Sequence, residues 1–478
     1  MPANKANFVY GNKTKIIAPA GYGKTHFISD CIQYAHEHNL GKQLILTHTH
    51  AGIASIKEKL SKFNIPASAY RVETICGYAQ KYVFAFIDHS TIPEQDSNDF
   101  YTFIIEQATR LFGKKSIQSI IQATYKGVFI DEYQDCTTNQ HAMLMKLKDV
   151  ISLHIFGDPM QGIFNFNNTP LVDFNTDLND FDDSAGELDM PWRWKLEGNN
   201  INLGNDLQGI RQQLLENSTI PLEIYKNVIT KTITGTIYDN LDYKDQLYAA
   251  LNDGNVLLIA HGQINQRKQL RSALGARCGI QLLEAIDDKD FYSITKELDV
   301  LLTSNDQFSK FITIAEKLFT QSDMSVWFNN NGLKVKRNQI DKQTSESILP
   351  FVTHLINNLA CYNDLYQLFY KLKNTFRLNC WRADLLRSII VALQNAASNN
   401  IEVKKAMYEH KNHIRIIGRK VYGKCIGTTL LTKGLEFDNV VILDAQDFTD
   451  KKNFYVAITR ACKKLTIFTT NTTLTFRF

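Results

Sequence analysis

Val128, Phe129 and Ile130 form a short apolar run that ends abruptly on charge, because Asp131, Glu132, Gln134 and Asp135 follow directly in VFIDEYQD. Read as a buried parallel strand, the run delivers carboxylates to the carboxyl edge of a sheet, where ligands of open α/β folds bind. Asp131 is then placed to hold Mg²⁺, directly or through water. Glu132 is left to orient or deprotonate an attacking water, since phosphoryl transfer depends mainly on positioning and electrostatics. Taken alone, the same residues also suit the start of a helix, where acidic groups are favoured.

The stretch APAGYGKT, Ala18 to Thr25, decides between these readings. It lies between strand-like KIIA and helix-like HFISDCIQYAHEH, the context that a phosphate loop requires. Gly21 and Gly23 let backbone N–H groups, including those of Ala20 and Tyr22, close on phosphates; Lys24 reaches the terminal phosphates and the Thr25 hydroxyl can ligate Mg²⁺. Ala18 stands where the usual pattern has its first glycine. A glycine loop paired with a carboxylate strand points to a nucleotide site that also holds Mg²⁺.

A chain of 478 residues with 44% hydrophobic content has room for two to four domains with substantial cores. No window approaches ~18 uninterrupted apolar residues, and MPANKANF lacks a hydrophobic signal core, so neither a membrane span nor secretion is expected and the location expected is cytoplasmic. The eight cysteines are scattered without a C-x-x-C pair, which argues against a zinc site or a disulfide framework. A net charge of +4 permits a nucleic-acid partner without implying one. The clusters KVKR (Lys334 to Arg337) and RKVYGK (Arg419 to Lys424) could meet phosphates or could be solvated faces.

Strand-to-helix alternation continues through LILTHT and YRVETICGYA, which predicts a parallel α/β lobe. The rhythm lapses from about 80 to 125 and resumes at VFIDEYQD, then at SLHIFGDPMQ, another apolar strand ending at Gly157 and Asp158. A second lobe opens near 196 and includes NVLLIAHG. Helical patterns take over from about 286 to 414, and strand patterns return at KCIGTTLLTKGLEFDNVVILDA.

In order and rough spacing, the phosphate loop, DEYQD, GDPMQGIFNF, LDMPWRWK, TKGLEFDNVVIL and FYVAITRACKKL resemble the nucleotide motifs of UvrD/Rep-like superfamily 1 DNA helicases. That resemblance implies an α/β fold of two RecA-like P-loop NTPase lobes with parallel sheets, each interrupted by a mainly helical insertion. The lobes would comprise 1–79 with 126–195, and 196–285 with 415–478; the insertions would be 80–125 and 286–414. It further implies that Gln161 senses the terminal phosphate and metal, that Arg193 and Arg460 reach the terminal phosphate, and that Gly434 and Glu436 line the ribose and phosphate environment. Thr47, Thr49, Thr74, Phe164, Phe166 and Thr429 would touch single-stranded or tailed duplex DNA, with bases stacking on the aromatic rings.

The implied activity is ATP-dependent translocation, 3′ to 5′, with unwinding. Several positions depart from the family pattern. Asn167 replaces an arginine; His48, His50 and Ala51 replace an aromatic, an amide and a lysine; Leu430 replaces a histidine; and residues 1–24 hold no adenine-reading glutamine, so that either Tyr10 or Phe8 stacks on a base or the contact is lost entirely. The compact layout is similar to the helicase component of Gabija-type antiphage systems, which works with an OLD-family nuclease. The alternative it raises is a DNA- or nucleotide-sensing ATPase subunit that regulates a partner nuclease without unwinding.

Overall fold

The computed structural model describes residues 3–94, 97, 99–164, 169–184, 186–216, 219–252, 254–260, 264–275, 279–283, 289–417, 421 and 423–476. The chain divides into two compact units, one made of residues 1–261, 416–423 and 428–478, the other of 262–415 and 424–427.

The first unit contains two parallel sheets. Five short runs of apolar and β-branched residues make the first: β1 (Lys13–Ile17), β2 (Gln43–Thr47), β3 (Tyr70–Thr74), β4 (Gly127–Ile130) and β5 (Ser152–Gly157). Their spatial order is β1-β5-β4-β2-β3 and every pairing is parallel. All four residues of β4 and all five of β2 are buried, as expected of strands covered on both faces. The VFIDEYQD run is therefore a strand and not a helix start. The second sheet of this unit sets β6 (Val228–Thr232), β9 (Ala461–Thr469), β8 (Phe437–Ile442) and β7 (Val256–Ile259) side by side, again in parallel. Two parallel sheets with helical crossovers give the expected RecA-like α/β architecture.

One face of the first sheet carries helices Phe100–Phe112 and Lys115–Thr124. Their Ile104, Phe112 and Ile121 share a single core with Leu44, Val128 and Leu153. On its way into β1 the chain forms a short helix, Lys5–Tyr10, capped by Asn4, whose side chain accepts the Ala6 N–H at 2.9 Å. Phe8 in this helix is fully buried against Phe27, Phe129, His154 and Phe156, with ring centroids 4.9–6.5 Å away. It therefore belongs to the core and is not available to stack on a base. Tyr10 is 60% exposed and meets Tyr34 edge-on.

Among its described residues the second unit is helical apart from two short strand pairs: a parallel one between 281–282 and 424–427, and an antiparallel one between 328–329 and 332–333. Its helices close around Phe311, Leu368, Phe369 and Leu393. Asp299 ties three of its segments together, accepting the Tyr362 hydroxyl at 2.8 Å and the N–H groups of Val403 and Lys404 at 2.8 and 3.0 Å, where it caps helix Val403–Ile417. Among the described residues no helix is long and apolar enough to cross a membrane.

His154 on β5 pairs with the Thr14 hydroxyl at 2.8 Å beneath the rings of Phe8 and Phe129. Burial pushes its imidazole from 6.5 down to about 3, and burial, helped by Lys433, does the same to His48. Because the folded value lies below the unfolded one, unfolding takes up a proton between about 6.5 and 3; stability is complete above that window and is lost as pH falls through it. Each such histidine should cost about 1.4 kcal/mol per pH unit below about 6.5. Urea denaturation at pH 7 and pH 5 should show this loss, and His154→Gln, which cannot take up the proton, should flatten the slope by one histidine's share. An unchanged slope in the variant would contradict the assignment.

Candidate nucleotide site

The carboxyl ends of three neighbouring strands, β1, β5 and β4, carry the phosphate loop, Asp158 and the Asp131–Glu132 pair. The Ala18 N–H donates to the Gly157 carbonyl at 3.1 Å, which extends the sheet by one step before the loop departs. Gly21 and Gly23 adopt φ of +72° and +86°, which L side chains rarely take. Both also face close neighbours: a Cβ on Gly21 would lie 2.7 Å from the Trp194 ring, and one on Gly23 would lie 3.0 Å from Trp192. Gly23 caps helix Lys24–Glu37 with no side-chain acceptor, so the first N–H groups of a fourteen-residue helix remain for a ligand. Ala20 and Tyr22 are buried in the loop wall, and burial pushes the Tyr22 phenol up to about 12.

Lys24 is buried and donates to the Ala18 and Pro19 carbonyls at 2.8 and 3.0 Å, folding over the loop that it is expected to serve. The Thr25 hydroxyl donates to Asp131 Oδ2 at 3.0 Å. A hydroxyl and a carboxylate this close, beside free helix N–H groups, are the hard oxygen donors that Mg²⁺ prefers, so the residues present fit the metal. A second cluster, Glu197, Glu436 and Cys462, gathers ligand-type atoms within 4.8 Å. It does not fit Mg²⁺, because a thiol is a soft ligand and Arg193 already pairs with Glu436.

Asp131 accepts the Glu132 N–H at 3.0 Å, and Glu132 itself takes a left-handed backbone, φ +57°. Burial and the neighbouring Glu132 charge push Asp131 up to about 6, against the pull of Lys24. Burial acts on Glu132 in the same direction, but Lys24, Lys433 and a contact from Gln134 outweigh it and hold Glu132 below its ordinary value. Glu132 is thus kept ionised, as a base must be.

Arg193 and Arg460 both reach this edge. Arg193 donates to the Thr459 carbonyl at 2.7 Å and to the Glu436 carboxylate, while its own N–H holds the Gly21 carbonyl at 3.0 Å. Arg460, only 2% exposed, donates to the Val456 and Leu435 carbonyls and, through Nη2, to Gln161 Oε1 at 3.2 Å. Burial, together with nearby Arg193, lowers it to about 10. Gly434 takes φ +79° in the turn between Lys433 and Glu436.

The residues expected at DNA are more dispersed. Thr47 is buried at the end of β2. Thr49 and Thr74 each cap a helix, accepting the N–H groups of Gly52 at 3.0 Å and Gly77 at 2.9 Å. Thr429 is buried in the short helix Thr429–Thr432. Phe164 lies 4.5 Å from the Lys433 amine, ring centroid to nitrogen, whereas Phe166 and Asn167 lie outside the described residues. His48, half-buried at the end of β2, meets the Cys136 sulfur at 3.3 Å. Lys334 and Lys336 of the KVKR cluster lie in an irregular segment before helix Gln339–Glu346 and donate to the Ser325 and Val326 carbonyls at 2.6 Å each.

Sequence reading does not point to Lys433, Arg211, Tyr455 or Trp192. Lys433 contacts both Asp135 and the Gln161 carbonyl, linking TKGLEF to two other boxes; burial pushes Asp135 up to about 7 and Lys433 down. Trp192, 41% exposed beside Gly23, lies next to the recognised arginine and could have been found from that spacing. Arg211 sits in a helix with no distinguishing pattern.

Residues 89–182 match the UvrD/REP helicase N-terminal domain, and residues 337–469 match the viral superfamily 1 RNA helicase core domain. The chain is 24% identical over 391 residues to the Gabija protein GajB of Bacillus cereus (strain VD045), covering 75% of this chain and 67% of that protein. A solved PRRSV helicase aligns with 98% of this chain at 13% identity and a TM-score of 0.35, and the chain spans about half (54%) of its length. Two stretches of the chain thus match superfamily 1 helicase domains and most of it is similar to the Gabija protein GajB, matches that support a UvrD-like, ATP-hydrolysing superfamily 1 helicase.

Proposed function

We propose that the chain is an ATP-dependent, single-stranded-DNA motor that moves 3′ to 5′ and couples ATP hydrolysis to closure of its two RecA-like lobes. The observation that carries this reading is the convergence of Lys24, Thr25, Asp131, Glu132 and Gln161 on one sheet edge, with Arg193 and Arg460 supplied from later segments. Mg²⁺, bound by Thr25 and Asp131, would neutralise phosphate charge. Lys24 exchanges the Ala18 and Pro19 carbonyls for terminal phosphate oxygens. Glu132 accepts a proton from the attacking water. Arg193 and Arg460, planar cations, exchange Glu436 and Gln161 for the same phosphate, which supports closure driven by the nucleotide. Glu436, released by Arg193, and Gly434 then face the ribose.

Thr47, Thr49, Thr74, Phe164, Phe166 and Thr429 are proposed to contact the DNA strand. The contact of Lys433 with Asp135, and its position over Phe164, gives the nucleotide boxes a physical link to that aromatic. The two lobes are proposed to follow the boundaries set out above, with the helical stretch 286–414 as the seat of partner or DNA-structure preference.

A second reading is favoured by the similarity to a Gabija protein. The chain would then be an ATPase subunit in antiphage defence that senses DNA or nucleotide and controls a partner nuclease of the OLD type, without unwinding by itself.

ATP hydrolysis by the purified chain should be Mg²⁺-dependent and stimulated by single-stranded DNA. Glu132→Gln should lower kcat by about 10²–10⁴-fold while leaving ATP binding intact. Stimulation that survives in Glu132→Gln would remove Glu132 from its role, and Glu132-dependent hydrolysis indifferent to DNA would favour the second reading.

On a duplex with a 3′ tail the motor reading expects repeated turnovers with no partner present, and none on a 5′ tail. DNA binding should weaken with salt at a log–log slope of roughly −0.7 per phosphate contacted. Binding without any salt slope would argue against a DNA track.

A further inference from the structure

Asp158 follows β5 and is wholly buried, with 0% relative exposure. A lone carboxylate there would be prohibitively costly, and four donors answer it. Oδ1 accepts Arg211 Nη2 at 2.9 Å and the Met160 N–H at 3.2 Å; Oδ2 accepts the Tyr455 hydroxyl at 3.1 Å and Gln161 Nε2 at 3.3 Å. The donors come from three separate segments: helix Ile201–Glu216, helix Lys451–Ile458 and the turn after β5.

Two of these contacts continue onward. The Tyr455 oxygen accepts the N–H of Ala20 in the phosphate loop at 3.1 Å. A phenol has one proton to give, so donating it to Asp158 leaves the oxygen as acceptor towards Ala20, and the direction of the chain is fixed. The Gln161 amide is oriented likewise. With Nε2 turned to Asp158, its Oε1 faces Arg460 Nη2 at 3.2 Å; a reversed amide would present N–H to a cation. Arg211 supplies the full positive charge that holds Asp158 as an acceptor, and its guanidinium lies over the Tyr455 ring, 6.0 Å from the centroid.

We propose that Arg211 and Tyr455 are positioning residues for phosphoryl transfer. Acting through Asp158, they fix the Gln161 amide against Arg460 and tie that pair to the phosphate loop at Ala20. Neither touches reacting atoms. The inference rests on the nucleotide-hydrolysing reading of the site, and it differs from a purely structural ion pair in requiring that the effect pass through Gln161.

Tyr455→Phe keeps the ring and its packing and removes only the hydroxyl; Arg211→Lys keeps the charge and loses the fork. In steady-state ATP hydrolysis with single-stranded DNA, each should lower kcat by about 10–100-fold, as small misplacements of catalytic groups do. KM for ATP should change by less than about threefold, because the lost interaction serves the transition state.

Gln161→Ala combined with Tyr455→Phe should lose no more than Gln161→Ala alone, since residues acting as one unit are non-additive. Circular dichroism and melting establish folding, and should one variant fail to fold, the other decides. Wild-type hydrolysis with kcat retained in the folded variants, or losses that multiply in the double variant, overturns this inference alone. A wild-type chain that hydrolyses no ATP, with or without DNA, overturns the reading of the site itself.

Discussion

Parallel pairing of β1 with β5, and of β5 with β4, puts three strand ends side by side at the roughly 4.8 Å spacing of a hydrogen-bonded sheet. The polar chemistry of the site hangs from that spacing. The phosphate loop leaves one strand, Asp158 terminates the next, and Asp131 with Glu132 terminates the third. Side chains as short as threonine and aspartate then meet directly, as Thr25 and Asp131 do at 3.0 Å. The ladder itself is buried beneath Phe8, Phe129 and Phe156, so the distances between these groups are set by core packing and not by the loops that carry them.

Within this frame the charged groups satisfy one another. Lys24 rests on loop carbonyls, Arg193 on Glu436, Lys433 on Asp135 and Arg460 on Gln161. Burying a cation with no partner would cost several kcal/mol, so these pairings follow from the burial that the site requires. On the proposed reading, a polyphosphate would enter by exchange: each new contact would replace an old one, and the net affinity would be a difference between two well-made sets. An exchange of this kind would be sensitive to geometry, because Arg193 and Arg460 come from segments distant in sequence from residues 18–25.

What could be read in the sequence was what lies close together along the chain. The phosphate loop and the DEYQD strand each carry their chemistry within eight residues, and the structure sets both at the same sheet edge. Arg193 and Arg460 stand inside short boxes, and the structure sets the Arg193 N–H on the Gly21 carbonyl and the Arg460 guanidinium on Gln161. Phe8 misled because nothing local distinguishes an aromatic ring that stacks on a base from one that fills a core; its helix folds it inward against four other rings. Arg211 and Tyr455 were silent for a different reason. Their partner Asp158 is 53 residues from one and 297 from the other, and no periodicity records such a meeting. Thr49 and Thr74 show the limit on the polar side, since a threonine before a helix is also simply a good cap.

Glu132 holds a left-handed backbone at the end of β4, a conformation that costs a non-glycine residue on the order of 1–3 kcal/mol. Asp444, just after β8 in the second sheet, makes the same kind of turn with φ +48°. Glycine at position 132 would relax the turn and make the chain harder to unfold, yet it would erase the carboxylate, so on the proposed reading the base of the site is held at a standing cost in stability.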